Sequence, residues 1–100
     1  MHALLEYDFG DDHLTARLPY RREHLAYACA AVERGDMLLG GAAGEGPYTG
    51  VMIFMGDDPV ALASTHAASD PYVLHGIASS WRVLPWATVV GHDAAAPVRP

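Results

Sequence analysis

Residues 51–55, Val-Met-Ile-Phe-Met, are apolar at every position. A strand turns successive side chains to opposite faces, so Val51, Ile53 and Met55 point one way and Met52 and Phe54 the other. Residues 81–86 behave similarly, with Trp81 and Val83 alternating against Leu84 and Trp86. Strands apolar on both sides belong to a sheet that is covered on both faces. This requirement constrains the fold more than any other feature of the chain.

The remaining elements supply cover for one face. Ala3–Phe9 reads as a first strand, with Leu5, Tyr7 and Phe9 on one side and Glu6 and Asp8 on the other. Pro19 suits the first turn of a helix, and Gly35 suits the position just past its end. Between them Leu25, Ala28, Cys29 and Val32 recur at i, i+3, i+4 and i+7, which predicts one buried stripe. Met37–Gly41 reads as a second strand, residues 43–47 as a turn, and Tyr48–Met55 as the third strand. Asp58 as N-cap and Pro59 at the first helical position open a second helix that runs to Ser69. Asp70-Pro71 ends it, because the residue before a proline is pushed out of the helical region. Ile77–Val90 reads as a long extended segment, kinked or bulged near Pro85.

This βαββαβ order predicts an α+β, ferredoxin-like protomer. Two helices cover one face of its sheet, and a second copy of the chain is the simplest cover for the other, so a homodimer is expected. One domain is expected over residues 1–92, with the Ala- and Pro-rich stretch 93–100 a disordered tail.

Composition excludes several functions. Twelve acidic side chains against six basic ones give a net charge of −6, so nucleic acid is a poor partner. No apolar run approaches the roughly 20 residues that span a bilayer, so no membrane partner is expected. Residues 1–6 lack a basic stretch followed by an apolar one, and there is a single cysteine, so the chain reads as cytoplasmic. All six basic residues are arginines, which removes lysine Schiff-base chemistry and a Walker-type phosphate loop. The absence of asparagine and glutamine beside abundant alanine reflects base composition rather than function.

The residues capable of chemistry gather at two places. Arg17, Tyr20, Arg21 and His24 continue the stripe of the first helix toward its N-terminus, turning an inward edge polar. Unpaired burial of such groups costs about 1–3 kcal/mol each, so they point to a cavity or a charged partner, or else to salt bridges at a helix end. Asp70 stands at the end of the second helix, where a turn carboxylate bonding nearby amides is the plainer reading. His66, four residues earlier, is spaced to pair with Asp70 or to sit at the core edge, and His75 flanks the same corner. Cys29 lies on the apolar stripe and reads as a core thiol. The histidines lack the spacing of a metal site, and the glycines of residues 40–46 lack the order of a dinucleotide loop, so neither metal nor organic cofactor is indicated.

The run Pro19-Tyr20-Arg21-Arg22-Glu23-His24-Leu25, the Glu33-Arg34-Gly35 helix end, the Gly40-Gly41 pair, and Asp70-Pro71-Tyr72-Val73 with Gly76 and Trp81 together resemble the YciI-like (YCII-related) family. The resemblance runs from the first strand to about Val90. It implies a dimeric α+β barrel of two ferredoxin-like protomers packed sheet to sheet. It also implies an active site pairing a histidine of the first helix with the aspartate of the D-P-Y motif, here His24 and Asp70. One branch of the family is similar to a dehydrochlorinase of chlorinated hydroxyhydroquinones.

Chemically, a carboxylate bonded to one imidazole nitrogen fixes the tautomer and leaves the other nitrogen to take a proton. Arg17 and Arg21, with Tyr20, Tyr72 and His75 around them, are the residues expected to hold an anionic oxygen of a small acidic or quinol-like molecule. The expected reaction is a cofactor-free proton abstraction or elimination, of lyase type. The alternative is a non-catalytic ligand-binding or regulatory module on the same dimer. A cofactor-free oxygenase is a lesser option, by analogy of fold.

Overall fold

A computed structural model describes residues 1–100. Four strands form one antiparallel sheet in the order β2-β3-β1-β4, where β1 is His2–Phe9, β2 Met37–Ala43, β3 Thr49–Phe54 and β4 Ala78–Trp86. The helices are α1 (His13–Ala16), α2 (Arg21–Glu33), α3 (Pro59–Ser69) and α4 (Pro71–Leu74). This is the ferredoxin-like α+β arrangement that the strand and helix order predicts. No helix is long and apolar enough to cross a membrane.

Ala3, Leu5, Tyr7, Met52 and Phe54 point to the helix side and form the core with Ala31, Ala63, Ala67 and Tyr72. The opposite face carries a row running across all four strands: Leu39 opposite Ile53, Ile53 opposite Leu4, and Leu4 opposite Leu84. Leu39 and Leu84 are exposed. The next row contains Val51, Glu6 and Arg82, the last two joined by paired bonds of 3.3 Å.

Local chemistry sets the element ends. Asp58 caps α3 by accepting from the Ala61 amide at 3.2 Å, and Pro59 occupies the first turn. Gly35, at φ +82°, lets the chain leave α2 through a left-handed turn. Asp70 adopts extended dihedrals before Pro71 and then caps α4 itself, accepting from the Tyr72 amide at 3.0 Å.

Several expectations are corrected. Pro19 lies in a separate 3-10 turn, Leu18–Tyr20, preceded by α1, and the long helix begins only at Arg21. The ladder irregularity beside β4 falls at Asp8/Phe9, not Pro85, which pairs normally with Ala3 because β4 is an edge strand. The strand there ends at Trp86. Beyond it the chain turns back, with the Val98 amide bonding the Val89 carbonyl at 2.8 Å.

The most instructive correction concerns α2. Its inward face is His24, Tyr27, Ala28 and Ala31, while Leu25, Cys29 and Val32 are exposed. The helix is turned by about one residue, roughly 100°, from the stripe the larger side chains suggest. Alanines occupy almost every face of this helix, so its periodicity has little contrast. The facing is set by polar partners: His24 bonds Asp70, and the Tyr27 hydroxyl bonds the His66 carbonyl at 2.9 Å.

Candidate active site

Asp70 is the centre of the site and is fully buried. A charge there survives only with partners, and three donors reach it. His24 Nδ1 lies 2.8 Å from Oδ1, the Tyr72 amide donates to Oδ1 at 3.0 Å, and the Tyr7 hydroxyl donates to Oδ2 at 2.7 Å. Burial works against the charge, but the His24 hydrogen bond, the attraction of a protonated His24, the Tyr72 amide and the Tyr7 hydroxyl outweigh it. They hold the carboxyl below its ordinary range. Burial, reinforced by the Asp70 charge, pushes the Tyr7 hydroxyl far up, so it stays a donor.

The fold brings these groups together from three elements. Tyr7 comes from the central strand β1, His24 from the first turn of α2, and Asp70 from the α3–α4 corner that Pro71 fixes. Tyr72 locks the histidine a second way: its ring lies on the imidazole with centroids 3.7 Å apart and planes within 3°. With Nδ1 engaged by Asp70, Nε2 is the nitrogen left for a ligand.

His24 lines a cleft of about 280 Å³ between α2 and the sheet. Arg17, Arg21, Tyr7 and Tyr72 line it beside the histidine, and Leu25, Cys29, Val32, Met37 and Met52 form its apolar walls. Gly40, Ala42 and Gly50 keep the floor low. A Cβ on Gly50 would sit 2.9 Å from the Phe9 ring and 3.0 Å from Tyr7 Cβ. Two donors on the cleft lining, Arg17 Nε and the Tyr72 hydroxyl, are buried with no partner inside the protein. Unpaired buried donors beside a cavity are the local signature of a binding site.

Of the residues singled out from sequence, His24, Arg17, Arg21 and Tyr72 line this cleft, and Asp70 is buried behind His24. Tyr20 and His75 stack on each other, centroids 3.9 Å apart, and neither lines the cleft. Cys29, expected in the core, is exposed on the cleft wall because of the rotation of α2. Tyr7 was legible only as a core residue. The signal that marks it is its hydroxyl, since a tyrosine on a fully buried strand face needs a polar partner. His66 Nε2 stands 3.8 Å from Asp70 Oδ2, beyond hydrogen-bond range.

No family model matches the chain, and no curated protein matches it. Among solved structures it is similar to the 5-chloro-2-hydroxyhydroquinone dehydrochlorinase TftG from Burkholderia phenoliruptrix AC1100, in complex with 2,5-dihydroxybenzoquinone. The TM-score is 0.70 at 20% sequence identity, over 88% of this chain and 95% of that one. At this identity the likeness establishes a shared fold.

Proposed function

We propose that this chain is a YciI-like protein and a cofactor-free, lyase-type enzyme acting on a small acidic or quinol-like ring. The observation that carries the reading is the 2.8 Å bond between His24 and the fully buried Asp70, at the wall of a cleft with unpaired donors. The shared fold with a dehydrochlorinase supports it.

In this reading Asp70 holds the imidazole with its Nε2 lone pair toward the cleft, and His24 takes a proton from a substrate hydroxyl or ring carbon. The ring reacts as its keto tautomer, in which a proton moved from oxygen to carbon places the leaving group on a tetrahedral ring carbon. The electron pair released by deprotonation then shifts the conjugated double bond and expels a leaving group such as chloride. HCl is lost overall, and the proton on His24 passes to solvent. Arg17 and Arg21 face the developing oxyanion, and Tyr72 supplies a neutral donor beside them. The cavity volume suits one substituted ring.

The same reading includes a homodimer, in a reducing, cytoplasmic setting, formed by laying the Leu39–Ile53–Leu4–Leu84 face of two protomers together. The deciding experiment incubates purified protein with 5-chloro-2-hydroxyhydroquinone and measures chloride release, with binding of 2,5-dihydroxybenzoquinone followed in parallel. Release that is lost in His24→Ala supports the enzyme. Saturable binding with no turnover would instead make the cleft a ligand-binding module.

A further inference from the structure

The Asp70 carboxylate offers four acceptor positions, two on each oxygen. His24 and the Tyr72 amide take those of Oδ1, and the Tyr7 hydroxyl takes one of Oδ2. His66 Nε2 faces the fourth from 3.8 Å, one helical turn earlier on α3. That nitrogen is buried and has no other partner. We propose that His66 is the second imidazole of the site, a positioning residue whose Nε2–H is directed at Oδ2 and keeps Asp70 charged and fixed for His24.

The tautomer follows from electrostatics. With the proton on Nδ1, the Nε2 lone pair would face a carboxylate inside the protein, two negative ends with no donor between them. With the proton on Nε2, the same contact is attractive, and Nδ1 is left as the acceptor. The ring itself is wedged between Tyr27, centroids 4.4 Å apart, and Phe54, centroids 5.1 Å apart. Its surroundings favour a neutral donor. Burial lowers its proton affinity against the pull of Asp70, and the Arg34 charge, with that of His24 whenever His24 holds a proton, acts in the same direction as burial. Asp36 is the remaining charged group that acts on it, and it favours the protonated ring. The other side of the residue borders a second cavity, of about 390 Å³, lined by Tyr27, Arg34, Asp36 and Thr65. His66 therefore stands between Asp70 and a separate opening, and a ligand filling the cleft leaves it untouched.

This inference deepens the reading of His24 and Asp70 as a working pair, but its test needs no substrate. Long-range 1H–15N spectra of histidine-labelled protein are expected to show His66 neutral in the Nε2–H form, and in the Nδ1–H form the proposal fails. The Asp70 carboxyl titration, followed by carbon NMR, supplies the second arm. His66→Phe keeps the aromatic packing without the donor and is expected to raise the Asp70 midpoint by about half a unit or more. His66→Gln, which retains an N–H, is expected to restore most of that shift. Equal midpoints in wild type and His66→Phe, or equal shifts in both variants, would reduce His66 to packing. An inactive enzyme with these spectra would sink the catalytic reading alone.

Discussion

The His24 imidazole and the Tyr72 phenol ring lie face to face, 3.7 Å between centroids, while the backbone amide of that same tyrosine binds the carboxylate that holds the histidine. One residue thus fixes both the plane of the imidazole and the position of the carboxylate bonded to it. Rotating His24 about either bond would break the stack, the hydrogen bond or both. The site is held by packing before any ligand arrives.

Removing either member of the pair is expected to abolish most turnover. A positioned base contributes roughly 10²–10⁴-fold, so His24→Ala should lose on the order of that factor in kcat/KM. Asp70→Asn leaves the ring free to adopt the wrong tautomer and should lose a comparable factor. Steady-state rates with circular dichroism to confirm folding check both. A variant retaining wild-type rates refutes the assignment.

The Tyr7 hydroxyl is a structural donor to a charged group, and Tyr7→Phe keeps the ring in the core. Hydrogen bonds to charged groups contribute about 1.5–3 kcal/mol, so the variant should lose stability in that range in urea unfolding. Its Asp70 titration should also move upward, since one of the three donors holding the carboxyl down is gone.

Stability should depend on pH in two windows. His66 is held below its ordinary value, so wild-type stability begins to fall as pH drops below about 6.5, where the unfolded histidine takes up a proton that the fold resists. Asp70 is also held below its ordinary value, so its contribution is complete above about pH 4 and disappears as pH falls through its folded value. Unfolding free energies measured across pH should therefore lose the first slope in His66→Phe and the second in Asp70→Asn. Unchanged slopes in both would show that neither group is coupled to folding.

Two glycines of the cleft floor should respond differently to alanine. At Gly40 the added carbon meets Met52 Cγ at 2.8 Å, the middle of a flexible side chain that can swing into the cleft. At Gly50 it meets Phe9 Cζ at 2.9 Å and Tyr7 Cβ at 3.0 Å, the second one bond from the backbone of a buried strand residue that cannot swing away. Gly50→Ala is expected to cost about 1–3 kcal/mol, in the range of core overpacking. Gly40→Ala should cost less and mainly weaken ligand binding. Thermal melts beside binding titrations with 2,5-dihydroxybenzoquinone separate the two outcomes.

Leu84→Arg places a charge at the β4 end of the apolar row and should leave a monomer. Sedimentation at micromolar concentration is expected to show a dimer for wild type, with a total buried area on the order of 2,000 Å². A monomeric wild type would remove the homodimer from the proposed function.

The fold was legible because its signals are local and strong. Pro59 after Asp58, Pro71 after Asp70, and the alternation of Leu5, Tyr7 and Phe9 each have one physical outcome. The pairing of His24 with Asp70 could be placed from helix spacing and from a resemblance, because both lie at element ends that a ferredoxin-like chain brings to one corner. The facing of α2 could not. Seven of its ten residues from His24 to Glu33 are small or aliphatic enough to suit either side, so periodicity lacks contrast there. The donor set around Asp70 was equally hidden, since Tyr7 sits 63 residues away and looks like any core aromatic until its hydroxyl is given a partner.

The two rows on the open sheet face also fix how anything can lie on it. Leu39, Ile53, Leu4 and Leu84 form a greasy bar across the strands, and the Glu6–Arg82 pair runs beside it, with Arg82 Nη1 also 3.3 Å from Asp8. A sheet sliding two residues along the strand direction would press leucines onto carboxylates and strip their water. In the proposed homodimer the face would therefore act as a keyed surface, favouring one alignment of the two sheets and penalising its neighbours by desolvation.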